Sequence, residues 1–453
     1  MRKSNLLGGA LLFAALFVNT SCKEIFGNMD LSGDTTVSSY VAINTASKTA
    51  APAEEFTLSI TKIGDGTVTW SSSDPAIAEV QGAGLSAKVI AKKSGNATIT
   101  ANVAAAGNYQ AGSAKCAVAV RVQNAEQFDA DLTAKASDEA INIFLADNAK
   151  LDFTEIYQSK NITFPVAAVV AGVEGKPATI TMGKKGFVGK YAFTFKNVKI
   201  DASTVSESLF VLKETSQKAK KSDGTEVEAF GKYGSVILQN VSISGVPSGK
   251  NFFKMAEKAV IDEILIDNSI IEIAGGSAAL FNINSSGYTN NFTMKNSTMY
   301  SVAGHSGYLI QSNGKPEDLE KPYPGVTTTL DHVTMYQIAK GQQMNNGNNL
   351  RGKTWHTFTL TNNILVYAGS KSSAEVRGWL FGQESENPVR VYENNTYWTD
   401  ANASSAWTSK SCADKSGTEI TTFDGFKDVT KGDFTISSGA QKDKKTGDPR
   451  WIK

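Results

Sequence analysis

Arg351, Lys353, His356 and Arg377 bring three fixed cations and one titratable imidazole into a single stretch of the chain. Beside a bound Ca²⁺, such a set can abstract a proton α to a sugar carboxylate. The metal and the guanidinium hold the carboxylate while a base takes the proton. No other cofactor is implied. Hydrolysis of a glycosidic bond would instead need paired carboxylates as acid and base, and no adjacent Asp-Asp occurs. His305, His332 and His356 are too scattered for a metal site, and zinc spacing, a phosphate loop and a nucleophile elbow are all missing. His305, in Gly304-His-Ser-Gly307, reads as an exposed residue on a glycine turn. No catalytic residue and no metal ligand is therefore assigned.

A second set would bind rather than react. Tyr300, Tyr336 and Trp398 recur at one place in a repeat, with Tyr367 beside Val366, the copy that breaks the run, and Trp355 and Trp379 in the segments between. If these rings face outward at a regular rise, they form a platform on which an extended glycan can stack, and large exposed aromatic surface implies a partner.

The elements that must position both sets are copies of one phrase: Phe193-Thr-Phe-Lys-Asn-Val-Lys-Ile200, Val236-Ile-Leu-Gln-Asn-Val-Ser-Ile243, Ile264-Leu-Ile-Asp-Asn-Ser-Ile-Ile271 and Phe292-Thr-Met-Lys-Asn-Ser-Thr-Met299, with three looser copies after them. They align on Asn197, Asn240, Asn268, Asn296, His332, Asn362 and Asn394. Two residues before each anchor, and three after it, the side chain is apolar. The residue just before it is polar. That is period-two alternation, a strand with one buried and one wet face. Strand, polar corner and strand, repeated, predict a right-handed parallel β-helix. Stacked about 4.8 Å apart, the anchors are expected to form a buried ladder of amides, with His332 replacing one rung. The segments 202–235, 301–327 and 337–357 read as inserted arms, and Asn345-Asn-Gly-Asn-Asn349 as a turn cluster.

The chain has 453 residues, a formal net charge of +1 and three cysteines. It is neither a disulfide scaffold nor, lacking a basic stripe, a nucleic-acid binder. Met1-Arg-Lys3 and the apolar run Leu6 to Val18 read as a signal peptide over residues 1–21. Residues 22–40 are small, polar and aperiodic, as a tether is. Short alternating strands over 41–123 predict a β-sandwich with Trp70 in its core. Residues 124–398 are assigned to the β-helix, opened by a capping helix within 124–131 and 137–145, and 399–453 to its C-terminal cap.

Three resemblances add to this reading. Asn19-Thr-Ser-Cys22 resembles the relaxed lipobox of Bacteroidetes, which implies cleavage before Cys22 and its lipidation; Lys23 and Glu24 resemble an export tag to the cell surface. Val68-Thr-Trp-Ser-Ser-Ser-Asp-Pro-Ala-Ile-Ala-Glu-Val80 with Ser94-Gly-Asn-Ala-Thr-Ile-Thr-Ala101 resembles a bacterial Ig-like domain of group 2. The repeat and the closing Gly447-Asp-Pro-Arg-Trp451 resemble the pectate-lyase-like β-helical domains of Bacteroidetes surface lipoproteins found beside polysaccharide uptake systems. Leu330-Asp-His-Val333 is similar to one lyase element, but its partner motif of two arginines around a proline is missing.

The sequence thus predicts an all-β chain: an Ig-like β-sandwich followed by a right-handed parallel β-helix, lipid-anchored and surface-exposed on the outer membrane. Its expected role is non-catalytic capture of polysaccharide for a glycan uptake system, with an outer-membrane glycan transporter complex as a possible partner. A polysaccharide lyase or hydrolase acting on uronate-rich glycans is the first alternative, and an adhesin or structural stalk the second.

Overall fold

A computed structural model describes residues 36–213, 217–220, 226–229, 231–255, 259–283, 288–312, 325–346, 354, 356–369, 389–398, 414–420 and 425–453. The signal segment, Cys22 and most of the tether lie outside these residues.

Eight strands come first: β1 Tyr40–Ile43, β2 Ser47–Ala50, β3 Glu55–Ile63, β4 Val68–Ser72, β5 Ala78–Gln81, β6 Ser86–Ala91, β7 Gly95–Val103 and β8 Gly112–Val120. They form two four-stranded sheets, β1-β3-β6-β5 and β2-β8-β7-β4. The sheets share a core of Leu58, Val89, Ile99, Cys116 and Val118, with Trp70 packed against it and its indole N–H donating to Gly84 O at 3.0 Å. The unit starts earlier than the sequence predicts, because Val37 already pairs with the Asn108–Gln110 segment.

Helix α1 Ala125–Ala134 follows, with Asn124 as N-cap accepting from Gln127 N. The capping helix does not reach 137–145 as expected. Ala140–Phe144 is instead a strand, paired in parallel with Ala167–Ala171. Its alternation of Ile141 and Ile143 inward decides for the sheet.

From there the chain winds through large parallel sheets, consistent with a parallel β-helix. The anchor alignment is the observed register. Phe195, Leu238, Ile266, Met294, Leu330, Leu360 and Tyr392 pair consecutively on one side of the corner. On the other side Ile200, Ile243, Ile271, Met299, Met335, Leu365 and Tyr397 do the same. These residues fill the core. The supposed arms supply a second parallel sheet, with strands at Phe210–Leu212, Ile310–Ser312 and Asn345–Asn346. Its inward phenylalanines stack, as Phe187 does on Phe210 with ring centroids 5.6 Å apart. Three-residue strands are too short to show periodicity, so they read as insertions.

Every anchor has positive φ, from 48° at Asn268 to 58° at Asn362. This is the left-handed region, which Asn tolerates better than any β-branched residue. The requirement for Asn is thus first a backbone requirement; the corner is a one-residue bend inside a continuous strand at Asn197, Asn240, Asn296 and His332, and a short break between two strands at Asn268, Asn362 and Asn394.

Candidate functional site

The aromatic column does not form an outer platform. Tyr300 is only 7% exposed and its ring meets Phe434 at 4.9 Å. Tyr336 packs on Phe426 and Phe434, at 6.2 and 6.0 Å. Trp398 and Tyr367 lie half-buried, 5.2 Å apart, in the same cluster as Ile364, Val366 and Ile436. The cover is the chain's own tail, residues 425–453. Apolar side chains on the outward side of the later strands would otherwise stand in water, so they make a second core beneath the tail. Burial, then the charge of Glu272, pushes the Tyr300 phenol up to about 12. Trp355 and Trp379 lie outside the described residues.

The tail is not confined to the end of the stack; it runs back along its flank as a strap. Thr446 meets Thr396, Gly447 N donates to Asn362 O at 2.6 Å, and Asp448 N donates to Thr334 Oγ1 at 2.9 Å. Arg450 then donates to Asn268 O, Ser269 O and Asn296 O at 3.1, 2.8 and 3.2 Å. Asp448, with its side chain fully buried, holds this guanidinium and accepts from Thr298 Oγ1 at 2.7 Å. Trp451 Nε1 donates to the same Thr298 hydroxyl. Gly447 has φ +83°, and a Cβ there would meet Thr334 Oγ1 at 2.7 Å, so only glycine fits. The Gly-Asp-Pro-Arg-Trp sequence is therefore a clamp across successive strands.

The anchor ladder is real but not buried as expected. Asn240 donates to Asn197 Oδ1 at 3.0 Å, Asn268 to Asn240 Oδ1 at 2.6 Å, and Asn394 to Asn362 Oδ1 at 2.9 Å, while Asn268 itself is exposed and the others are half-buried. Asn296 and Asn362 turn aside to Asp267 and Asp331, and His332 Nδ1 lies 2.9 Å from Asp331 Oδ1. The left-handed backbone points each anchor outward along the corner. The buried ladder is one residue later: Ser269, Ser297, Asn363 and Asn395 satisfy the orphaned backbone, as in Val333 N to Asn363 Oδ1 at 2.9 Å. The signal was visible as a run of small polar residues after the anchor in four of the copies.

His305 and His356 are structural. His305 is 1% exposed rather than exposed as expected. Its Nε2 donates to Ala278 O at 2.7 Å and its Nδ1 accepts from Ala339 N at 3.4 Å, which fixes the neutral tautomer. His356 faces inward instead of joining a basic cluster. It stacks on Phe358 at 4.0 Å beside Thr328, and burial lowers it to about 3. Arg351, Lys353 and Arg377 lie outside the described residues. Among the described residues no three His, Cys, Asp or Glu side chains gather as a metal site would need.

What stays open is the other outward face, before the corner. There Thr293, Thr329 and Thr359 pair consecutively in one column, and Thr327 and Thr357 pair in the next. All five are half-exposed, and none of their hydroxyls is engaged by another described residue. Lys295, Asp331 and Thr361 form the third column, in which Thr361 Oγ1 donates to Asp331 Oδ1 at 2.6 Å. The result is a flat grid of hydroxyls about 4.8 Å apart across strands and about 6.6 Å apart along them.

Residues 328–451 match the family described as Domain of unknown function (DUF5123). The match takes in most of the strand of Thr329, the strands after it and the clamp, while Asn268, Ser269, Asn296 and Thr298, to which the clamp is fastened, precede it. No curated protein and no solved structure matches the chain.

Proposed function

We propose that this chain is a cell-surface lipoprotein, anchored at Cys22, that captures polysaccharide for a glycan uptake system without cleaving it. An Ig-like spacer would lift a right-handed parallel β-helix off the outer membrane. The observation that carries the reading is the threonine grid. A linear polymer of hydroxyls is best met by a periodic array of groups that both donate and accept, and a pyranose ring is about as long as one coil of the stack is tall. The aromatic column cannot serve while the strap covers it, so the binding face moves to the strands before the corner. The ionisable groups described above support binding over turnover, because His305, His356, Asp448 and Arg450 are committed to holding the fold.

The test is affinity electrophoresis of the purified chain through a panel of polysaccharides, with Ca²⁺ present. Reducing ends and the absorbance of unsaturated uronates are followed in parallel. Retardation without product is expected. Release of product would replace capture with lyase or hydrolase action.

A second reading, a rigid stalk, is favoured by the junction between the sandwich and α1. Lys135 Nζ donates to Asp131 Oδ2 at 2.9 Å and to Ser94 O at 2.8 Å, while Ser94 N donates to Asp131 Oδ1 at 2.8 Å, all buried. Retardation by none of the glycans would leave the stalk as the better account.

A further inference from the structure

The fixed charges around the threonine grid are unbalanced, and this bears on which glycan the proposed capture function would serve. Asp331 borders the grid, side chain 37% exposed, and Glu393 pairs with Thr361 on the next strand. On the strand of Thr293 the cation is Lys295, which shares its charge with Asp267 at 3.7 Å. Glu263 lies further down the same face, and Lys196 stands three strands below Lys295. His332 is held against Asp331 at 2.9 Å. Among the described residues, the neighbourhood of the free hydroxyls is therefore net acidic.

A polyuronate laid on this grid would carry a carboxylate on each sugar. Each would come within the screening length of Asp331 or Glu393, about 8 Å at physiological ionic strength, and like charges placed that close are repelled. A neutral chain brings only hydroxyls, which the threonines meet with donors and acceptors alike. Resting on the capture reading, we propose that the grid selects an uncharged glycan and disfavours polyuronates, the opposite of what analogy with pectate-lyase-like folds implies.

The experiment compares the full chain on mannan and β-glucan with polygalacturonate and alginate, each at low and high salt. Retention by at least one neutral polymer is expected, with less than about a twofold change in affinity between the two salt conditions. Polyuronates are expected to be unretained at low salt. Glu393→Lys, a change at an exposed position, is expected to strengthen polyuronate retention. Retention of polyuronates in preference to neutral polymers would overturn this inference and leave capture standing. Retention of no polymer would overturn capture, and this inference with it.

Discussion

Asn268 is exposed, has φ 48° and donates to Asn240 Oδ1. Two physical demands meet there, a left-handed backbone and a ladder hydrogen bond, and substitutions separate them. Asn268→Gly keeps the backbone free and loses only the hydrogen bond, so it is expected to cost about 0.5–1.5 kcal/mol. Asn268→Ala loses the bond and adds the left-handed strain of about 1–2 kcal/mol. Urea unfolding of the two variants should rank alanine below glycine. Equal destabilisation would mean that the hydrogen bond alone explains the anchor. The seven anchors were legible because one backbone conformation admits so few residue types. Their direction was not, because sequence spacing fixes where a bend lies and not which way its side chain turns.

Among elements, the strands that carry an anchor could be read to the residue, since alternation and the repeat agree on a single register. The short second sheet could not. His356 looked like part of a basic site, yet its parity with Phe358 and Leu360 puts it on the inward side of its strand. Its folded value of about 3 lies below the ordinary 6.5, so its contribution to stability is whole above pH 6.5. That contribution falls as the unfolded chain takes up a proton that the folded chain refuses, down to about pH 3. The slope is at most about 1.4 kcal/mol per pH unit. Relative to wild type, His356→Leu should flatten the decline of unfolding free energy between pH 6 and 4. Parallel curves would show that the imidazole is protonated inside the fold. The strap was misread for a different reason. Tyr300 and Tyr336 do point outward from their strands, but the partner that covers them comes from 90 or more residues later, at Phe426 and Phe434, and no local pattern announces it.

At the scale of the whole molecule, the sandwich meets α1 where Ser94 bonds to the buried Asp131–Lys135 pair, and burial draws the Lys135 ammonium down against the opposing pull of Asp131. Lys135→Met would leave Asp131 buried without its cation, and it is expected to cost about 3–5 kcal/mol. Adding Asp131→Asn should recover part of that loss. Calorimetry of the two single variants and the double variant gives the coupling directly, and a coupling near zero would mean that the two charges do not act as a pair at this junction.

The account depends most on the claim that the threonine face, and not the covered aromatic column, meets the glycan. The most direct measurement is the affinity of Thr329→Val with Thr359→Val for the polymer that retards the wild type. Valine keeps the β-branched shape and the strand propensity while it removes both hydroxyls. The account predicts at least a tenfold loss of affinity, about 1.4 kcal/mol, with the thermal midpoint unchanged. Unchanged affinity, or a loss seen only when Tyr367 or Trp398 is replaced, would contradict it.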